Sequence, residues 1–539
     1  MPAATTIVNA RIFDGTKSQD WTSIRFVGGL ITECSVTSAA QAGDEVVDAG
    51  GGTVLPGLID AHVHLVPGAL AQSLTFGVTT VLDMFSKPGL VASSKQQADS
   101  RPDMADVRSS GIGATAPGGH PSIMYAPFPT LTAADQAEQF VAERIAEGSD
   151  YLKIISGTGG LWPSLDSDTI AALVTVAHAH GLVVVAHVSS TAGVEQVVSA
   201  GVDVVAHVPA NATLDTALVE RIADAGIAVG PTLATIENTL GEPGGPAVAA
   251  DPRLAEALGD TWVRRLTSGA PGPRGRDMPP YSRAEDNVRR LADAGVTLLA
   301  GTDAPNPGTV FGASLHRELE LLVRCGISPS QALAAATSEP ARVFGLADRG
   351  RIAAGQRADL VLVSGDPLID ITATRAIERI WRAGTVCDRR AFVASTAEAE
   401  QLDAFDAQVA KAVAAVRERR STFAPPERGS SSSTVSGTDP VEIHLAVHSR
   451  LRRAIHQVPP QWIILILIDS TVVRRTSLSL RIPAYETVPT VPRESESRWQ
   501  DTARPRAKQR ENERNPVSAR LSGLRSLCWG LDPTVTRRR

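Results

Sequence analysis

The chain has 539 residues, of which 43% are apolar, 4% aromatic and 20% charged. The apolar share excludes a wholly disordered polymer, and the 45 glycines and 35 prolines follow no collagen period. The formal charge of -6 conceals two regimes: residues 441–539 carry 18 Lys and Arg against 9 Asp and Glu, the remainder 34 against 49.

The opening segment, MPAATTIVNARIFDG, lacks a basic stretch followed by an apolar core, so a cytoplasmic, reducing setting is expected. Cys34, Cys325, Cys387 and Cys528 are too scattered for a disulfide scaffold or a cysteine zinc site. The first 56 residues read as short strands separated by Gly- and Asp-rich turns. From 57 to 347, eight short apolar runs alternate with amphipathic stretches: 58–64, 78–84, 110–116, 151–155, 182–187, 203–207, 226–232 and 296–303. Eight β-α units are the number that closes a (β/α)8 TIM-like barrel, so the expected class is α/β.

Residues 348–395 return to short strands, and with 1–56 they are expected to pair as one small β-sandwich flanking the barrel. Residues 396–427 read as one amphipathic helix. From 428 to 539 a Ser/Gly/Pro linker leads into an Arg- and Pro-rich tail without sustained periodicity, expected to lack a compact fold. Its apolar run WIILILI (462–468) is too short to span a bilayer, which takes about 20 helical residues. Neither a membrane nor a nucleic-acid partner is expected, scattered arginine being a weak sign of the latter.

His62 and His64 lie in the first barrel run, LIDAHVH. On a strand, residues i and i+2 share a face, so both imidazoles can address one ion. His178 and His180 have the same spacing in a helix-like segment, where they would diverge by about 200°, and read as surface residues. Lys153 lies in the apolar run YLKII. It is either ion-paired to a barrel carboxylate or a neutral amine carbamylated by carbon dioxide, whose two oxygens would bridge two metals. His187, His207 and Asp303 each close a β-branched run. The C-terminal strand ends of a barrel form one rim, so these side chains are expected to converge with the first pair.

The stretches VLPGLIDAHVHL, AGTDAP and GRIAAGQRADLVLVSGDPL, with the ordered His-x-His, Lys, His, His, Asp set, resemble the amidohydrolase superfamily over about residues 1–395. The set is that of its two-metal subgroup, and DYLKIISGTGG is most similar to the imidazolonepropionase-like and Xaa-Pro dipeptidase-like branch. The resemblance implies one metal on His62, His64 and Asp303, a second on His187 and His207, and carbamylated Lys153 between them. Zinc is the first expectation, with cobalt or manganese compatible with the same donors. It also implies a hydrolase of C–N bonds in which a hydroxide shared by the cations attacks a carbonyl and Asp303 shuttles the proton.

The substrates expected are N-acyl amino acids, dipeptides or small amides. Cyclic imides, hydantoins, lactones and other esters are the alternative. His120 and Tyr125 are the candidate substrate contacts, His120 as a donor to the substrate carbonyl. The Gly/Pro-rich stretch from 240 to 280 reads as a lid, with Arg274 and Arg276 available to a carboxylate. His316 reads as a packing residue, and Cys325 and Cys387 as small apolar ones. A homo-oligomer is expected.

Overall fold

The computed structural model describes residues 4–267 and 279–423. All of these fall in the unit Met1–Arg428. The tail from 429 onward, with the WIILILI run, lies outside the described residues, as do Arg274 and Arg276.

Two parallel sheets form the centre. One contains the strands Leu58–Val63, Val78–Asp83 and Asp106–Ser109. The other contains Leu152–Ile155, Val184–His187, Val204–Ala206 and Ala228–Gly230. Backbone hydrogen bonds carry the ladder across the gaps. Ala114 pairs with Ile154, Val229 with Leu298, and Val63 with Ala304. The 297–304 segment thus links the last strand back to the first, and the parallel ladder closes into a TIM-barrel-like ring. These strands are buried on both faces, as helix-covered parallel strands must be, which explains their nearly continuous Val, Ile, Leu and Ala.

Three of the helices that cover the barrel begin at side-chain caps. Asp166, Ser190 and Asp215 each accept a backbone N–H from Thr169, Gly193 and Leu218, three residues on. Gly201 ends the helix Thr191–Ala200 at φ 80, a left-handed turn that costs a residue without Cβ little.

Three readings from the sequence require correction. The third barrel strand is Asp106–Ser109 rather than 110–116, because Gly111, at φ 63, turns the chain out of the ladder before Ala114 rejoins it. The eighth run forms ladder bonds without a continuous strand. Much of the stretch read as a lid is helical, Gly244–Ala250 and Pro252–Thr267, because LAEALGDTWVRRL lays Leu254, Leu258, Trp262 and Leu266 on the core.

Outside the barrel, Thr53–Pro56 pairs antiparallel with Leu360–Val363 in a six-stranded sheet. A four-stranded sheet is built from Leu30–Ser35, Ser23–Val27, Ala4–Val8 and Glu45–Asp48. Residues from both ends of the chain, including Ile7, Phe26, Val54, Leu362 and Trp381, share one core between these sheets. Buried Asp106 binds Arg349 and, at 2.9 Å, Arg357, tying a barrel strand to the returning chain. The helix Thr396–Phe423 follows. Among the described residues no helix is long and apolar enough to cross a membrane.

Candidate metal centre and substrate cavity

His62 is the fifth residue of the first strand and His64 follows its end. Lys153 lies within the fourth strand, His187 ends the fifth, and His207 directly follows the sixth. Asp303 belongs to the 297–304 segment, where its N–H donates to the His62 carbonyl at 2.7 Å. Gly301 permits that approach, since a Cβ there would lie 2.8 Å from the His62 Cβ. Strand pairing therefore carries residues up to 241 positions apart to one rim.

The resulting distances are short. His64 Nε2 lies 3.0 Å from Asp303 Oδ1, His62 Nε2 3.6 Å from the same atom, and His207 Nε2 3.9 Å from Asp303 Oδ2. His207 Nε2 and His187 Nδ1 are 3.1 Å apart. The donor atoms of His62, His207 and Asp303 all fall within 4.8 Å of one another, a grouping able to hold a cation. That trio crosses the division implied by the family resemblance, in which His62 and His207 serve different ions.

Burial sets the protonation states. It pushes the His62 and His187 imidazoles well below their usual value and His207 and His120 down to about 4, so all four are neutral at pH 7. Burial also brings the Lys153 amine down to about 7, against the opposing pull of Asp303 and Asp83. Burial would raise the Asp303 carboxyl, but His207, His64 and Lys153 outweigh it and hold the group below its usual range. The ammonium-to-carboxylate bridge that is one reading of Lys153 is not formed among the described residues: its Nζ is buried with no hydrogen-bond partner among them, as is Nδ1 of His64.

A supporting layer fixes these groups. Asp60 accepts from the N–H of His62 and Thr302 and from the Thr302 hydroxyl. Glu318 accepts the N–H groups of Leu233 and Ala234 at 3.0 and 2.7 Å, while burial raises its carboxyl to about 8. These bonds hold the start of the helix Leu233–Thr239, whose Thr235, Ile236 and Thr239 face the same cavity.

The cavity has a volume of about 460 Å³. All six candidate metal residues line it, as do His120 and Tyr125. The His120 ring stacks on His187 with centroids 4.9 Å apart, and the Tyr125 ring is 6.5 Å from His64. His178 and His180 are exposed on a helix end, with His178 bonded to Asp203 at 2.9 Å. His316 is buried elsewhere between Thr374 and the Phe76 carbonyl. Cys325 and Cys387 are buried free thiols.

The sequence reading did not single out Thr232, Asn211, Asn306, Phe85 or Phe405. Thr232 ends the seventh apolar run, so the rule that drew attention to strand ends applied to it as well. Phe405 carried no such signal.

The sequence pattern of the amidohydrolase family matches residues 53–388. An uncharacterized protein of Mycobacterium tuberculosis is 29% identical over 377 residues, covering 66% of this chain and 88% of that protein. Imidazolonepropionase of Deinococcus radiodurans is 26% identical over 403 residues, covering 66% and 90%. Among solved structures, a Xaa-Pro dipeptidase with bound methionine in its active site aligns at 21% identity and TM-score 0.57, covering 72% of this chain and 100% of that one. Molinate hydrolase aligns at 20% identity and TM-score 0.58, covering 72% and 95%.

Proposed function

The chain belongs to the amidohydrolase family, hydrolases acting on carbon–nitrogen bonds, and on that premise we propose that it hydrolyses a small amide at a two-metal centre. His62, His64 and Asp303 would hold one cation, His187 and His207 the second, and a carbamate on Lys153 would join them. The donor set fits: neutral imidazoles and a carboxylate suit zinc, cobalt or manganese. A buried amine and a buried imidazole nitrogen without partners also fit, since each lacks the hydrogen bond that burial otherwise demands. When bound, the cations supply Lewis acidity and lower the pKa of water to near 7.

The chain's own residues do the rest. Asp303, ionised and inside the cavity, takes the proton of the attacking water on a carboxylate oxygen and returns it to the leaving nitrogen. His120, neutral and stacked on His187, donates from a ring nitrogen to the substrate carbonyl oxygen. Tyr125, whose hydroxyl burial holds protonated, offers a second donor.

The single observation that carries this reading is that four histidines, one lysine and one aspartate, drawn from five separate barrel segments, line one cavity. The test is turnover by the zinc-supplemented full chain of a panel of N-acyl amino acids, dipeptides, anilides, hydantoins and lactones. Cleavage of an amide bond, abolished by chelation and restored by metal, is expected. Cleavage of lactones alone would overturn the assignment to C–N bonds.

A further inference from the structure

The substrate cavity has an apolar half, of which the proposed reaction uses only the Tyr125 hydroxyl. Phe85 stacks on Tyr125 with ring centroids 4.9 Å apart, and Phe128 meets Phe85 edge-on at 5.2 Å. Ile155 belongs to the same cluster. This wall starts beside His64, through Tyr125, and the lining continues with Met124, Ile236 and Leu240. Phe405 also lines the cavity, although it belongs to the helix Thr396–Phe423, beyond the barrel and the flanking sheets.

That helix is fixed at this point of its length. Leu402 is buried, and Asp406 pairs at 2.9 Å with Arg265 of the helix Pro252–Thr267. The Arg265 guanidinium lies 5.3 Å from the Trp262 ring and 5.9 Å from the Phe405 ring, so cation–aromatic contacts tie Phe405 to the helix Pro252–Thr267. The helix also packs on Ser122–Tyr125, the short helix that carries Met124 and Tyr125.

Among the described residues the same wall carries no charge. Among the described lining residues the only ionisable side chains other than histidine and tyrosine are Lys153 and Asp303, and both have roles at the metal centre. The remaining polar groups, among them Asn211, Thr235 and Asn306, are neutral. Against these described residues a substrate carboxylate would lose its water without gaining a cation from them, which costs far more than leaving an amide or an aryl group in the same position.

We infer that Phe405 of the C-terminal helix is a specificity-determining residue, closing with Phe85 and Tyr125 an apolar subsite for the uncharged aryl or branched alkyl group of a neutral amide. This rests on the hydrolase reading for the reaction but not for binding, and it narrows the substrate from acylated amino acids and dipeptides to amides without a carboxylate.

The test is equilibrium binding by calorimetry to the zinc-supplemented full chain carrying Asp303→Asn, in which turnover is expected to be about 10²- to 10⁴-fold slower, with butyranilide and its 4-carboxylate as probes and turnover measured separately in the native chain. The anilide is expected to bind about tenfold or more tightly than the carboxylate. Phe405→Ala is expected to weaken anilide binding about tenfold and Phe405→Leu about threefold or less, with circular dichroism and melting temperature verifying that both variants are folded. Equal or tighter binding of the carboxylate, an unchanged anilide affinity in Phe405→Ala, or no binding of either probe would overturn the proposal. Binding of the anilide with no amide turnover would refute the hydrolase reading and leave this one standing. Turnover of acylamino acids in preference to anilides would do the reverse.

Discussion

Nδ1 of His207 lies 2.5 Å from the Thr232 hydroxyl oxygen, and that hydroxyl donates to the Pro231 carbonyl at 2.7 Å. Because the Thr232 proton is committed to a carbonyl, its oxygen accepts from His207 Nδ1–H. The tautomer is thereby fixed, and the Nε2 lone pair faces His187, Asp303 and the cavity. Thr232 reaches this position from a left-handed backbone at φ 52, at the turn between the strand Ala228–Gly230 and the next helix.

The first prediction follows directly. Thr232→Val keeps the shape and removes the acceptor, so metal affinity measured by chelator competition should fall about 10- to 100-fold. Thr232→Ser should restore most of it. An unchanged affinity in the valine variant would mean that another group fixes the imidazole.

Lys153 supplies the second. Its buried, unpartnered Nζ is expected to require carbon dioxide to become an anionic ligand. Metal content per chain, measured after reconstitution with and without bicarbonate, should rise with bicarbonate in the native chain. In Lys153→Met it should be low and insensitive. Equal metal uptake in carbon dioxide-depleted buffer would exclude the carbamate.

Asp303 is the third. Asp303→Asn retains an oxygen donor but cannot carry a proton, so kcat should fall about 10²- to 10⁴-fold while KM changes little. Metal content should stay near that of the native chain. Activity above a tenth of normal would place the proton transfer elsewhere.

The fourth concerns stability and pH. Burial would raise the Asp106 carboxyl, but Arg349 and Arg357 outweigh it and hold the group well below the usual carboxylate range. A depressed folded-state pKa contributes stability that is present above the unfolded value of about 3.9 and is lost as pH falls below it. Asp106→Asn removes the carboxylate shared by two buried guanidinium groups, which among the described residues keep only Asp348 and Asp359 as acidic partners, and should cost about 1.5–3 kcal/mol at pH 7. The difference in melting temperature between the two chains should shrink as pH is lowered from about 5 towards 3. A difference constant over that range would show that the carboxylate charge is not what matters.

Much of this protein was legible locally. Period-two spacing placed His62 and His64 on one strand face and assigned His178 and His180 to a helix surface, where they are. The rule that barrel strands present their C-terminal ends to one rim picked out His187, His207 and Asp303, and a lone charge inside an apolar run picked out Lys153, without any knowledge of their distances. The third strand was misread because 110–116 is as apolar as a strand, and apolarity does not record where Gly111 breaks the ladder.

The sequence by itself determined which side chains arrive at the barrel rim, because strand alternation and the order of β-α units are short-range properties of the chain. Only the tertiary structure decided what surrounds them. The His207–Thr232 bond, the Asp106 clasp and the seating of Phe405 against Arg265 join residues from 25 to 251 positions apart. Such contacts depend on how helices and loops pack once the barrel has closed, and no local periodicity encodes them.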